Sequence, residues 1–358
     1  MRDVRELVAT TTARVGPADA ACAAAAQRAM DGKTKPRGSL GQLEIIASRV
    51  AGIRHDPAPG PAPSVVIVAA ADHGIAAENV SAYPQEVTGQ MVRNFATEGA
   101  AVCVLARRAE ARLVVVDAGV VSQLGDVPGV LSRRIGPGTA NATRGPAMSM
   151  DQAFDAMAVG IDLVQELAAD GVGLVGLGEM GIANTTSAAA IVVALLSVEP
   201  EVVCGRGTGI DDEGLARKVD AVRRALAANA EAVRIGEPVG ILAAVGGFEI
   251  GMLTGVMLGA AGAHIPVLLD GFITAAAALV AERISPLCSE SMLASHRSTE
   301  PGHAVVLDAL GLEPIFDLGM RLGEGSGAAL AIPIVNASLG LLEEMATFHD
   351  ANVTDAGV

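Results

Sequence analysis

The chain has 358 residues, a length that suggests about two domains or one large α/β domain with an accessory piece, and 51% of them are hydrophobic but only 2% aromatic, which provides for a large aliphatic core. Its formal net charge of −15 argues against nucleic acid or an anionic membrane as a partner. An anionic ligand must be held locally, by backbone amides, helix N-termini or a few placed cations.

The opening "MRDVRELVATTT" is charged and lacks an apolar signal core. Residues 1–56 are expected to be helical, with "ADAACAAAAQRAM" a strong helix former. "KTKPRGSLGQLE" turns at Pro36 and Gly38 and restarts with Ser39 and Gln42 at capping-box spacing. "DPAPGPAP", 56–63, is a linker. Short apolar runs follow, alternating with helix-like stretches: 64–74, 112–120, 171–181, 240–249 and 265–272. Read as strands, they predict a parallel sheet covered on both faces. Ligands of such sheets sit outside the carboxyl ends of the strands, which assigns Asp72, Glu179, Glu249 and Asp270 to one crevice. Residues 250–269 carry no formal charge and repeat glycine at Gly251, Gly255 and Gly259, a spacing used by membrane helix pairs. "HIP" interrupts the stretch, and Glu249 and Asp270 bracket it, so a buried helix, a turn and a buried strand are expected. From about 286 comes a segment containing Pro, Ser and His, then a helix interrupted at Pro333, then a tail over 350–358.

The cysteines, Cys22, Cys103, Cys204 and Cys288, lie far apart with no CxxC, and the histidines show no metal-ligand spacing. Neither a metal site nor a disulfide framework is signalled, and reduced cytoplasm fits best.

In "RLGEGSGAALA", 321–331, Glu324 lies between Gly323 and Gly325 at the mouth of an apolar helix. A helix N-terminus stabilises a carboxylate with no further role. The glycines suggest more, because they admit a ligand close to the backbone. Burial would raise the basicity of Glu324 and helix-end amides would lower it.

"GLGEMG" formally matches the dinucleotide fingerprint at Gly176, Gly178 and Gly181, with Glu199 further on. Against an NAD-dependent oxidoreductase, the stretch up to Glu199 reads as helix, and Glu179 would face the pyrophosphate. The same geometry would hold a single phosphate near Gly181 and a helix starting near Asn184. "CGRGTGIDDEGLARK", 204–218, is a second glycine-rich loop entering a helix, with Asp211 and Asp212 suited to its start. Lys218 is either a solvated helix charge or a ligand contact. Tyr83, the only tyrosine, stands beside Pro84 with Gln90 and Met91 close behind. A surface turn or a pocket for a flat ligand accounts for it, since Met packs well against rings. His73, His296 and His303 read as groups that fix loops by hydrogen bonds.

The blocks "KPRGSLGQLE", "ADHGIAAENVSAYPQEVTGQMVRNF", "GLGEMGIANTTSAAA", "CGRGTGIDDEGLARK", "GGFEIGMLTG", "PVLLDGFITAAAAL", "SHRSTEPGH" and "LGMRLGEGSGAALA" occur in this order. On them the chain resembles the nicotinate-nucleotide–dimethylbenzimidazole phosphoribosyltransferase family over nearly its full length. The resemblance implies an α/β fold: a Rossmann-like parallel sheet flanked by helices, with a smaller helical domain from both chain termini. It divides the chain into 1–60, the N-terminal part of the small domain; 61–285, the large domain; and 286–358, which carries the catalytic acid and completes the small domain. It implies transfer of the phosphoribosyl group of nicotinate mononucleotide to 5,6-dimethylbenzimidazole, in assembly of the cobalamin nucleotide loop, by a homodimer that needs no redox cofactor, beside the cytoplasmic setting and the absence of metal, nucleic-acid and membrane partners expected above from cysteines, spacing and charge. By the same resemblance Glu324 is the catalytic base and Glu179 a second acid. Tyr83, Pro84, Gln90, Met91, Met180 and Leu322 form the aryl-base pocket. Gly181, Asn184, Thr185, Gly205, Gly207, Gly209, Ser295 and Ser298 hold phosphate and ribose. Lys218 is a further candidate. Tyr83 stands where some relatives carry a small polar residue, which bears on base selectivity. A non-enzymatic nucleotide-binding regulator on the same scaffold is the alternative from another class.

Overall fold

"SVVIVAAA" becomes strand β1 (Ser64–Ala71), buried along its whole length. It forms the middle of a sheet with β2 (Arg112–Gly119), β3 (Val130–Ser132), β4 (Leu174–Met180), β5 (Val267–Leu269), β6 (Met292–His296) and β7 (Pro314–Phe316). The computed structural model describes residues 3–354, so Met1, Arg2 and 355–358 of the expected tail lie outside the described residues. The 7-stranded sheet has the order β3-β2-β1-β4-β5-β6-β7, and every neighbouring pair is parallel. The chain winds outward from β1 through β2 to β3, then crosses back to β4 on the other side of β1. That reversal opens a crevice at the carboxyl ends of β1 and β4, where a ligand site is expected.

The side chains of β1 show why its run is apolar without alternation. Val65, Ile67, Ala69 and Ala71 enter the core on one face, and Val66, Val68 and Ala70 enter that on the other. Helix Phe248–Gly262 crosses the first face, buried from Phe248 to Ala261. Its glycines serve packing inside the protein. A Cβ on Gly255 would lie 1.9 Å from the Met157 carbonyl oxygen, and one on Gly160 2.0 Å from that of Met252. Helix Met150–Ala169 therefore packs against it almost backbone to backbone. On the second face, helix Ser326–Glu344 is long and apolar enough to cross a membrane. It lies instead across the sheet, with Ala328, Ile332, Val335 and Leu339 in that core. The two chain ends meet there. Ser338 Oγ donates to the Leu43 carbonyl, Lys33 Nζ donates to that of Met345 at 2.6 Å, and Lys35 is buried against Glu44 at 2.8 Å.

Two expectations fail. The run 240–249 is not a strand: helix Pro238–Val245 occupies it, with Pro238 in the first turn and the Glu237 carboxylate accepting from Val239 and Gly240 amides. An apolar run buried on all sides reads alike as strand or helix, and here the capping signal decides. Ser39 does not cap the next helix, which starts at Gln42 after Gly41, a residue with φ of 55°. Glu44 instead reaches back to the Leu40 amide at 3.0 Å. Strands β6 and β7 are not among the expected strands; β7 spans only Pro314–Phe316, too short to show a period.

Candidate active site

Glu179 and Met180 close β4. Across them lies the "RLGEG" turn, where Gly323, Glu324 and Gly325 all have positive φ, at 83°, 63° and 85°. For Glu324 that left-handed backbone is unusual and must be enforced by its surroundings. Enforcement comes from both sides. Below, a Cβ on Gly178 would meet the Glu324 carbonyl oxygen at 2.5 Å, so only glycine lets the turn lie on the strand. Behind, the Asp270 carboxylate accepts from the amides of Gly325 at 3.0 Å, Gly327 at 2.6 Å and Ala328 at 3.3 Å. The helix that follows starts at Ser326 without a side-chain cap of its own; Asp270, just past β5, supplies one.

The turn forms one wall of a cavity of about 760 Å³. Of the residues named from the sequence, Glu324, Glu179, Tyr83, Met91, Met180, Leu322, Gly181, Asn184, Thr185, Gly207 and Ser298 line it. Tyr83 and Leu322 are more than half exposed, at 54% and 56%, and stand at its mouth. Pro84, Gln90, Gly205, Gly209, Ser295 and Lys218 do not line it. Val87 and Met91 share the inner face of helix Glu86–Ala96, whereas Gln90 faces solvent. Ser295 is buried with its hydroxyl on the Asp270 carbonyl at 3.4 Å. Lys218 is no solvated charge: it is 1% exposed, and its ammonium donates to Thr185 Oγ1 at 2.9 Å and the Gly205 carbonyl at 3.0 Å. Burial lowers its pKa.

The crevice expected to hold four carboxylates holds one of them at its surface. Asp72 receives the Val121 amide at 2.7 Å, and Asp270 lies behind the turn. Glu249 belongs to the first turn of a helix, not to a strand end. Fully buried, it meets His73 Nε2 at 2.6 Å, while His73 Nδ1 meets Ser187 Oγ at 2.9 Å. This pair lies under Gly181, whose Cβ would fall 3.3 Å from a Glu249 oxygen and 2.4 Å from the Ala71 carbonyl. His303 accepts the Ser298 amide through Nδ1 at 3.0 Å, and burial pushes its pKa down to about 3, so it stays neutral.

Glu300, Arg321, Thr208 and His296 also line the cavity and were not assigned to it from the sequence. They tie its loops together. Glu300 Oε1 accepts the Gly207 amide at 2.9 Å, Arg321 donates to the Gly207 carbonyl at 3.0 Å, and Thr208 Oγ1 accepts from Ala82 beside Tyr83 at 3.0 Å. A residue just before a proline that opens a helix, as Glu300 precedes Pro301, was the available signal. Gly176 and Gly178 sit inside β4, paired with Val66 and Val68, rather than in a strand-to-helix turn. Glu199 immediately precedes a short helix, Pro200–Val203, rather than ending a strand. The dinucleotide geometry is absent.

Two carboxyls with raised pKa values face this space. Burial raises Glu324 to about 7, with the Asp270 charge adding to it. Burial raises Glu179 to about 8; the Asn184 side chain, which donates to it, opposes this, and the charges of Asp270, Glu249 and Glu324 reinforce it. Near neutral pH, then, Glu324 is divided between acid and base and Glu179 keeps its proton. Paired acids set apart in this way are suited to proton transfer.

A family described as phosphoribosyltransferase matches residues 15–353. A nicotinate-nucleotide–dimethylbenzimidazole phosphoribosyltransferase of Chloroflexus aurantiacus is 49% identical over 350 residues, 98% of this chain and 99% of the relative. The chain belongs to this family. The enzyme of that name from Azotobacter vinelandii is 52% identical, covering 94% of this chain and 95% of its own length. The crystal structure of the Thermus thermophilus enzyme superposes with a TM-score of 0.88 at 44% identity, over 94% of this chain and all of that one. Family membership agrees with the parallel sheet and with the cavity at its switch point.

Proposed function

We propose that this protein transfers the 5-phosphoribosyl group of nicotinate mononucleotide to 5,6-dimethylbenzimidazole, giving α-ribazole 5′-phosphate and nicotinate, with Glu324 as the general base. The observation that carries the reading is a buried carboxyl with its pKa near 7, on a glycine-flanked turn facing the cavity.

One ring nitrogen of dimethylbenzimidazole attacks the anomeric carbon of the ribose as the bond to nicotinate breaks. The attacking ring would be left cationic unless its other nitrogen loses a proton, and Glu324 takes that proton. Nicotinate leaves from a pyridinium and takes the bond electrons onto its nitrogen, so no acid has to protonate it. Attack opposite the leaving group converts β to α configuration. While the anomeric carbon carries positive charge, the Glu324 carboxylate stabilises it.

Tyr83, Val87, Met91 and Leu322 give the apolar wall for the flat base. The turn from Gly181 into helix Asn184–Leu196, with Lys218 beneath Thr185, supports the phosphate. The Gly207 amide is already engaged by Glu300, so the second glycine loop contributes shape rather than that donor, and Lys218 of the following helix Asp212–Ala228 contributes charge from behind it. The division into a large domain and a small one from both chain ends, the homodimer and the cytoplasmic setting belong to the same proposal. The test is incubation with both substrates and chromatography of α-ribazole 5′-phosphate and nicotinate. Nucleotide binding without nicotinate release would favour a regulator on this scaffold and overturn the transferase.

A further inference from the structure

We propose that Asp270 is a positioning residue for the transfer: its carboxylate clamps the turn that carries Glu324 and fixes the Glu324 side chain toward the cavity. This rests on Glu324 being the base. The clamp is made of three backbone amides, with Gly325 on one oxygen and Gly327 and Ala328 on the other. A carboxylate satisfies all three, whereas a proton on either oxygen would face a donor. Asp270 itself is held from behind, 1% exposed, with His296 Nε2 3.8 Å from one oxygen. Space at the clamp is filled: a Cβ on Gly327 would meet Asp270 Oδ1 at 2.8 Å and His296 Cδ2 at 2.1 Å. No residue from Gly323 to Gly325 has a backbone of ordinary φ, so the turn depends on this external hold. Its position matters for rate, since misplacing a reacting group by about 1 Å costs about 100-fold.

The clamp also has an electrostatic consequence. The titratable groups facing Glu324 are Asp270 from the loop after β5 and Glu179 from the end of β4, with Cys103 of helix Ala101–Arg108 within its field. Burial raises the Asp270 pKa, while His296 at the end of β6 and the amides of Gly325, Gly327 and Ala328 oppose this and favour its carboxylate; Arg321 of the same turn is directed to the Gly207 carbonyl. Burial is the first cause of the raised Glu324 pKa, and Asp270 is the charge that adds to it.

The experiment compares single-turnover rates over pH for wild type, Asp270→Asn, Glu324→Gln and the double variant, with KM values for both substrates. The expected result is a folded Asp270→Asn protein, slower by roughly 10- to 100-fold with KM values little changed. Its acid limb should lie at lower pH, because loss of a neighbouring negative charge lowers the Glu324 pKa. In the Glu324→Gln background the Asp270 change should cost no further rate. Should Asp270→Asn not fold, Asp270→Ser, which keeps an acceptor without the charge, is measured in its place. An equal loss in both backgrounds, an unmoved acid limb, or failure of both variants to fold overturns the positioning role while leaving the base role intact. A wild-type rate from Glu324→Gln overturns the base role, and this proposal with it.

Discussion

The carbonyl oxygen of Glu324 occupies the place that a side chain on Gly178 would need, 2.5 Å from the Cβ position. The turn that carries Glu324 thus rests directly on the backbone of β4. If Glu324 is the base as proposed, this strand glycine becomes a determinant of rate. Gly178→Ala is expected to displace the turn, since overpacking of this kind costs about 1–3 kcal/mol and is relieved by backbone shifts. The measurement is a pair of kinetic constants beside a thermal melt. A fall in kcat larger than the change in either KM, in a folded protein, is the expected outcome. Wild-type kinetics would show that the turn is free to move.

The proposed base pocket gives a second prediction. Val87 and Met91 sit one helical turn apart on the wall facing the turn of Glu324, and Tyr83 stands at the entrance. Met91→Asp puts a charge where the flat apolar base is to pack. It should raise KM for dimethylbenzimidazole well above its effect on KM for nicotinate mononucleotide. Equal effects on the two would place the base elsewhere.

Lys218 gives a third. Its ammonium is buried, donating to Thr185 Oγ1 and the Gly205 carbonyl, and Thr185 stands between it and the cavity that it lines. Lys218→Met keeps the stem and removes the charge. Calorimetric affinity for nicotinate mononucleotide should fall by at least about 10-fold, in line with loss of a charged hydrogen bond of roughly 1.5–3 kcal/mol. Affinity for dimethylbenzimidazole should hold. Unchanged nucleotide affinity would remove Lys218 from the phosphate site.

These predictions draw unequally on what the sequence made visible. Strands β1, β2, β4 and β5 could be read because a parallel strand buried on both faces must be apolar throughout. The same logic misread 240–249, where Pro238 and Glu237 start a helix that is also buried all round. Glu324 and Glu179 stood out because glycines flank them, yet the reason for those glycines was hidden. Gly178 looked like part of a phosphate fingerprint and proved to be clearance for a turn from the far end of the chain. Asp270, Glu300 and Arg321 act through contacts between distant segments, which leave no local pattern. Chain-local spacing finds a carboxylate; only packing shows what holds it.

Stability should report the two raised carboxyls directly. In the folded protein Glu179 and Glu324 hold protons up to about 8 and about 7, against ordinary values of 4.5. Between those limits the native state binds more protons than the unfolded chain, so stability from these groups falls as pH rises. The melting temperature without ligand is expected to decline across that window. Glu179→Gln, neutral at every pH, should flatten the decline. An identical slope in the variant would mean that Glu179 titrates normally.

The base itself is tested by Glu324→Gln, which preserves size and most packing but cannot accept the proton. Loss of a general base costs roughly 10²–10⁴ in rate. The expected protein is folded, binds both substrates and forms α-ribazole 5′-phosphate at least about 100-fold more slowly. Wild type should gain rate as pH rises through about 7, because Glu324 must be deprotonated to act and its pKa is held there by burial and by Asp270. The variant should lose that limb. Loss of rate with the limb retained would assign the titration to Glu179, whose pKa of about 8 lies close above. Near-wild-type product formation would move the proton to Glu179 or to water, and the glycine-flanked carboxylate would then be a ligand contact without a part in the chemistry.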